Sequence, residues 1–263
     1  VLRPGEEFAG YVVDRALGRG GSATVYLARR ASETFALKVI GEGAPDALER
    51  LRREFTIAGG LRHPHVVAMS DRGPNWLAMQ YVDGGDALAL TTLAHKLTAI
   101  AQIADALDYA HDKGVVHCDV KPANILIGKD FSREGAVLVD FGVAHLTGEP
   151  PPPLAGRPTH VKASLPYAAP ELLTGGTPSP ATDEYELACT VVELITGATP
   201  FKATTPTGLI DAHLHRPPPR VSRQISWVPR AFDSILAKAM AKRPDRRYQT
   251  CAEFAGLITR VLA

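Results

Sequence analysis

The chain has 263 residues, 45% apolar and 22% charged, with a formal net charge of +1. That is enough to bury a sizeable core in one large domain or two lobes, and it leaves no charge excess of the kind a nucleic-acid groove or polybasic membrane surface needs. No apolar run approaches the ~18 residues of a membrane span and no signal peptide opens the sequence; beginning at Val rather than Met, it reads as a piece of something longer. Three scattered cysteines, Cys118, Cys189 and Cys251, fit a reducing compartment better than a disulfide framework or zinc site, the latter two as small core residues.

Residues 11–17 and 24–28 read as strands joined by the turn Gly18-Arg19-Gly20-Gly21-Ser22-Ala23. A Rossmann or P-loop turn must open a helix with its N-terminus facing phosphate, whereas a β-branched and aromatic run follows here, so a hairpin with its glycine tip over phosphates is the better template. Residues 34–40 form a strand in which Lys38 interrupts an apolar run and needs either an anionic partner or an exit to solvent at an edge. The helix predicted over 45–60 carries the stripe Leu48, Leu51, Phe55 and Ala58, with Glu54 beside it and Glu49 as a second, more solvated carboxylate. Two further strands are expected at 66–69 and 76–82, the second ending in the turn Asp83-Gly84-Gly85. A long helix over 93–113 stops at Gly114.

The loop His117-Cys118-Asp119-Val120-Lys121-Pro122-Ala123-Asn124 lies between two apolar anchors, Val115-Val116 and Ile125-Leu126-Ile127. So anchored, it can hold Asp119 to accept a hydroxyl proton, Lys121 to neutralise a phosphate oxygen and Asn124 to bind a metal ion through its carbonyl oxygen. A buried strand at 136–139 ends in Asp140-Phe141-Gly142. From 143 to 164 periodicity fades and Pro150 to Pro153 stand in a row, which predicts an extended or mobile segment. The run from Asp183 to Gly197 is apolar on nearly all sides, as expected of a buried central helix; 231–240 and 251–262 read as peripheral helices, with a loop at Pro217-Pro218-Pro219.

Taken in order, these stretches resemble the protein kinase domain. Gly18, Gly20 and Val25 match G-x-G-x-x-G-x-V, with Ala23 at the third glycine; the strand holding Lys38 is similar to V-A-I-K; residues 117–124 match H-R-D-x-K-P-x-N, with Cys118 in place of Arg; Asp140-Phe141-Gly142 matches D-F-G; and Ser164-Leu165-Pro166-Tyr167-Ala168-Ala169-Pro170-Glu171 is similar to G-T-x-x-Y-x-A-P-E. Phrases such as Leu-Gly-Arg-Gly-Gly and Tyr-Val-Asp-Gly-Gly look like the Hanks-type kinases of actinobacteria, commonly the cytoplasmic part of a single-span membrane receptor.

The resemblance implies an α+β, bilobal fold over 1–263: a small antiparallel sheet lobe with one main helix (about 8–82), a hinge at about 80–85, and a larger, mostly helical lobe (about 86–263). It implies an ATP cleft built from Leu17, Gly18, Gly20, Val25, Ala36, Lys38, Met79, Gln80, Val82, Asn124, Leu126 and Asp140, with the Gln80 and Val82 backbone on the adenine edge and Met79 at its flank. Asn124 and Asp140 would hold Mg2+, or Mn2+ in its place; Lys38, paired with Glu54, would position phosphates, Asp119 would deprotonate the acceptor and Lys121 would offset charge on the moving phosphoryl group. Ser164 would support the catalytic aspartate, Glu171 would pair with Arg247, and Asp183 would hold the catalytic-loop backbone.

The Lys121-Pro122 pair resembles Ser/Thr rather than Tyr kinases, so the implied partners are proteins bearing Ser or Thr acceptors, this chain included by autophosphorylation, together with a homodimer through the N-lobe. Nucleic acid and membrane contact by this chain are not expected. Where kinases carry Arg, that guanidinium receives an activation-segment phosphate; the Cys118 thiol cannot. Activity is therefore expected to depend only weakly on phosphorylation of Thr147, Thr159 or Ser164. The alternative, suggested by Cys118 and Ala23, is a nucleotide-binding pseudokinase that signals through contacts; a small-molecule phosphotransferase is disfavoured by the Ala-Pro-Glu segment.

Overall fold

Along the N-terminal strands burial alternates with a period of two, and that alternation decides which way each side chain faces. The computed structural model describes residues 1–20, 23–41, 45–150 and 164–263; Gly21 and Ser22 of the glycine turn, and the stretch 151–163 with Thr159 and most of the proline run, lie outside the described residues. Strands β1 (Glu7–Phe8), β2 (Tyr11–Arg19), β3 (Ala23–Arg30), β4 (Glu33–Ile40), β5 (Met69–Arg72) and β6 (Trp76–Gln80) form one antiparallel sheet in the order β1-β2-β3-β4-β6-β5. Phe35 and Leu37 of β4 join Tyr11, Val13, Tyr26 and Trp76 in a small apolar cluster on one face. Ala36 and Ile40 face the other way, into the main core, and Lys38 shares their parity, so the pleat sends its ammonium to the face that looks into the molecule.

Helix α1 (Pro45–Gly59) packs across that inner face. Its buried residues are Ala47, Leu51, Glu54, Ile57 and Ala58, while Leu48 and Phe55 are only half-buried. The stripe is thus rotated from the expected one, and Glu54 lies within it rather than beside it.

One predicted strand is displaced. The segment expected at 66–69 instead pairs as β5 from Met69 onward, and the buried Val66 and Val67 bind the second lobe: Val66 bridges to Leu138, and the Val67 N–H donates to Leu138 O at 3.0 Å. Two β-branched apolar residues read the same on a strand as in a lobe-to-lobe tether, which is why the sequence misplaces them. Strand β6 also ends at Gln80, two residues short of the expected Val82.

The second lobe is built on α2 (Leu93–Asp112), capped by the Thr92 hydroxyl on the His95 N–H and stopped at Gly114, whose φ of +73° suits glycine. Short strands β7 (Val115–Val116), β8 (Ile125–Ile127), β9 (Ala136–Leu138) and β10 (His145–Leu146) follow, β8 paired with β9 and β7 with β10, with the turn α3 (Phe131–Glu134) between β8 and β9. After α4 (Pro170–Leu173), the central helix α5 (Pro180–Thr196) begins three residues earlier than its apolar run, because Ser179 and Thr182 form a capping box and Pro180 occupies the first turn. Helices α6 (Pro206–His215), α7 (Arg230–Ala239) and α8 (Cys251–Leu262) surround it. Asp108 of α2 reaches the start of α8 and accepts the Cys251 and Ala252 N–H groups at 2.9 Å each. All three cysteines are buried and none is joined in a disulfide, and among the described residues no helix is long and apolar enough to cross a membrane.

Candidate active site

Between the sheet and the helical lobe lies a cleft of about 780 Å³, and every residue expected to bind the nucleotide lines it. Leu17, Gly18, Gly20 and Val25 come from the β2–β3 hairpin, Ala36 and Lys38 from β4, Met79, Gln80 and Val82 from β6 and the residues after it, and Asn124, Leu126 and Asp140 from the opposite lobe. Met79 is 7% exposed and serves the core as well as the cleft. One detail narrows the expectation: the Gln80 N–H donates to Ala68 O at 2.8 Å, so of that residue's backbone only the carbonyl is a candidate for a ligand edge.

Lys38 is held by both lobes. Its Nζ donates to Glu54 Oε2 at 2.7 Å and to Asp140 Oδ1 at 3.1 Å. Burial works against its charge, but Asp140 and Glu54 outweigh burial and keep the ammonium well above the ordinary lysine range. Burial pushes Glu54 up, to about 7, against the pull of Lys38. Glu49 is 77% exposed and lies 3.9 Å from Arg52, so it has no part in the cleft.

Beneath the cleft the loop 117–124 is fixed from below by α5. Asp183 accepts the His117 N–H at 2.8 Å and the Cys118 N–H at 2.7 Å, and Glu186, one turn on, accepts the Val120 N–H at 2.8 Å. These bonds hold Cys118 at φ +62°, a left-handed conformation that costs a non-glycine residue ~1–3 kcal/mol and persists only where its surroundings impose it. Above the loop, Lys121 Nζ donates to Asp119 Oδ2 at 2.7 Å and to Ser164 Oγ at 2.9 Å, while Asn124 Nδ2 donates to Asp119 O and Oδ2 at 2.8 Å each. Asn124 has thus committed its amide nitrogen, which leaves the amide oxygen for a cation. With the Asp140 carboxylate this makes a hard oxygen donor pair of the type Mg2+ prefers, and the apolar walls beside Lys38 suit a purine followed by phosphates. Lys121 does not line the cleft; its ammonium is turned onto the Asp119 carboxylate.

Two loop supports were not legible in advance. Glu186 reads as one more charge on a buried helix, although an i, i+3 pair of carboxylates in an apolar run signals partners to be found. His111 of α2 is the other: its Nε2 lies 2.7 Å from Asp183 Oδ2. Burial disfavours the imidazolium, but hydrogen bonds to Asp108 and Asp183 overcome it and raise the ring to about 9. A group raised in the folded state contributes fully below its unfolded value, ~6.5, and that contribution disappears as pH rises through about 9. His111→Gln is therefore expected to flatten the decline in thermal stability between about pH 6.5 and 9, measured as Tm against pH beside the unsubstituted chain.

Glu171 and Arg247 form a buried bidentate pair, both bonds 2.8 Å, with the Thr182 hydroxyl donating to Glu171 Oε1 at 2.8 Å. The Ser164 hydroxyl is occupied by Lys121, and the Thr147 N–H donates to Gly114 O at 2.8 Å.

Comparison with known proteins agrees with this architecture. The family model described as protein kinase domain matches residues 11–255. The serine/threonine-protein kinase PknJ of Mycobacterium tuberculosis is 41% identical over 97% of this chain and 46% of its own length, and PknF of the same species is 39% identical over 97% and 56%. The chain thus spans about half the length of these curated relatives. The crystal structure of the M. tuberculosis PknI kinase domain superposes with a TM-score of 0.73 at 31% identity, covering 99% of each chain. A sheet lobe whose lysine meets one carboxylate from its own helix and another from the opposite lobe, over a loop braced by the central helix, is the kinase arrangement, and with a family match from residue 11 to residue 255 the chain belongs to the protein kinase domain family.

Proposed function

We propose that this domain transfers the γ-phosphoryl group of ATP to Ser or Thr hydroxyls of proteins, its own included. The observation that carries the reading is the double tie of Lys38 to Glu54 and Asp140 across the same cleft that Asp119 lines. Lys38 would take phosphate oxygens, with Glu54 holding it in reach, and the lobes would meet around 80–85. Asn124 and Asp140 would hold Mg2+, which when bound neutralises charge on the β- and γ-phosphates. Asp119, oriented by Asn124 and Lys121, would accept the hydroxyl proton; Lys121 would offset charge at the acceptor side. Because little covalent chemistry falls to the protein, position and charge supply most of the rate. The Ser/Thr preference is supported by the names of the relatives and by Lys121-Pro122. The greater length of those relatives supports the further reading that the domain is part of a longer protein, and the resemblance to actinobacterial Hanks-type kinases supports its being the cytoplasmic part of a membrane-tethered one.

Incubation with labelled ATP and Mg2+, followed by mass-spectrometric mapping, tests the reading directly: phosphate on Ser or Thr supports it, and nucleotide binding without transfer refutes it in favour of a nucleotide-binding scaffold. Lys38→Met is expected to lower turnover at least a hundredfold, ~2.7 kcal/mol of barrier. It removes the cation meant for phosphate and leaves the Glu54 and Asp140 carboxylates facing each other without it. Steady-state rates at saturating ATP check this.

A further inference from the structure

The segment after Asp140 carries an ion pair that belongs to none of the roles above. Arg53 of α1 donates from Nε to Ala144 O at 3.0 Å and from Nη1 to Glu149 Oε1 at 3.2 Å, while its Nη2 donates to Glu149 Oε2. One guanidinium therefore grips both the backbone just beyond the turn Phe141–Val143 and a carboxylate five residues farther on. Glu149 is seated as well: its N–H donates to Leu146 O at 3.0 Å, and its Oε2 accepts the Leu146 N–H at 3.4 Å. Leu146 pairs with Val115 in the β10–β7 ladder, at the entrance to the catalytic loop. Arg53 directly precedes Glu54, so whatever fixes the rotation of α1 at Arg53 also fixes the approach of Glu54 to Lys38.

A bidentate grip on planar oxygens is the same geometry in which arginine takes phosphate. Cys118, by contrast, offers no cation to an added phosphate. We propose that Glu149 is a permanent, encoded stand-in for an activating phosphoryl group, and that the Arg53–Glu149 pair is a positioning device that holds α1, and through it the Lys38–Glu54 contact, in the working arrangement. The proposal rests on the phosphotransfer reading above. It places the anion on the segment itself, so no modification of Thr147 or Ser164 is needed for order. Arg53 keeps the Glu149 carboxyl below the usual glutamate range, and the anion persists at neutral pH.

The test is a double-substitution cycle on the domain: Arg53→Gln, Glu149→Gln, the two combined, and Glu149→Asp, with kcat, the KM for ATP and a peptide, and α1 amide exchange recorded before and after phosphatase treatment. Each Gln variant is expected to lose about tenfold in kcat with peptide KM within about twofold, and the combination is expected to lose no more than either alone, as for residues acting as one unit. Glu149→Asp should keep at least about a third of the rate, and phosphatase should leave the unsubstituted chain unchanged. Single variants within about twofold of the parent, multiplicative losses in the combination, or a tenfold loss on phosphatase treatment would each overturn the proposal. If the parent transfers no phosphate, the phosphotransfer reading has failed and exchange alone decides: faster α1 exchange in Glu149→Gln supports the clamp, and unchanged exchange removes it.

Discussion

Asp119→Asn is expected to reduce turnover about 10³- to 10⁴-fold, ~4–5.5 kcal/mol of barrier, while ATP binding stays within about threefold. The substitution is nearly isosteric, so the loop has no steric reason to move, and the Asp183 and Glu186 bonds beneath it do not involve this side chain. What changes is chemistry. Asp119 Oδ2 is the shared acceptor of Lys121 Nζ at 2.7 Å and Asn124 Nδ2 at 2.8 Å, and both donors orient it toward the cleft. An amide oxygen can replace part of that acceptor role but has no capacity to take the hydroxyl proton. Single-turnover phosphate transfer, read beside nucleotide affinity, checks it; a rate within tenfold of the parent would remove Asp119 from the role of base.

Arg247→Ala is expected to destabilise the fold by ~3–5 kcal/mol without touching the cleft. The Arg247 side chain is wholly buried and makes two 2.8 Å bonds to Glu171, one of 2.6 Å to Ala181 O and one of 2.9 Å to Ala241 O. Removing it leaves a buried carboxylate with the Thr182 hydroxyl as its remaining side-chain partner and takes the donor from the Ala181 and Ala241 carbonyls. Because the pair joins α4 to the approach to α8 across the start of α5, the loss should appear as cooperative unfolding of the whole helical lobe. A lower urea midpoint at unchanged m-value is the expected signature; an unfolding free energy within ~0.5 kcal/mol of the parent would show the pair to be dispensable.

The sequence showed the site more fully than it showed the supports beneath it. Lys38, Asp119, Asn124 and Asp140 stand at fixed offsets in short, apolar-bounded segments, and chemistry at that spacing has few readings. Glu54 could be preferred to Glu49 from its place near the helix stripe, and the structure puts it inside that stripe. The supports depend on pairings between distant segments: Asp108 with Cys251, Arg53 with Glu149, His111 with Asp183. Periodicity reports which face of an element is buried but not which element covers it, so charges that meet across the fold look like ordinary solvated charges in one dimension. The misplaced Val66-Val67 is the apolar counterpart, a pair whose partner, Leu138, lies more than seventy positions away.

The capping of α8 by Asp108 has a practical corollary for where an expressible unit can be cut. The family match stops at residue 255, inside that helix, yet Ile258 is fully buried and Leu262 only 9% exposed. A clone ending at 255 would strip the last two turns, leave their apolar seat on the helical lobe bare to water, and invite insolubility in the expression host. The shortest recombinant form worth making therefore extends through Leu262.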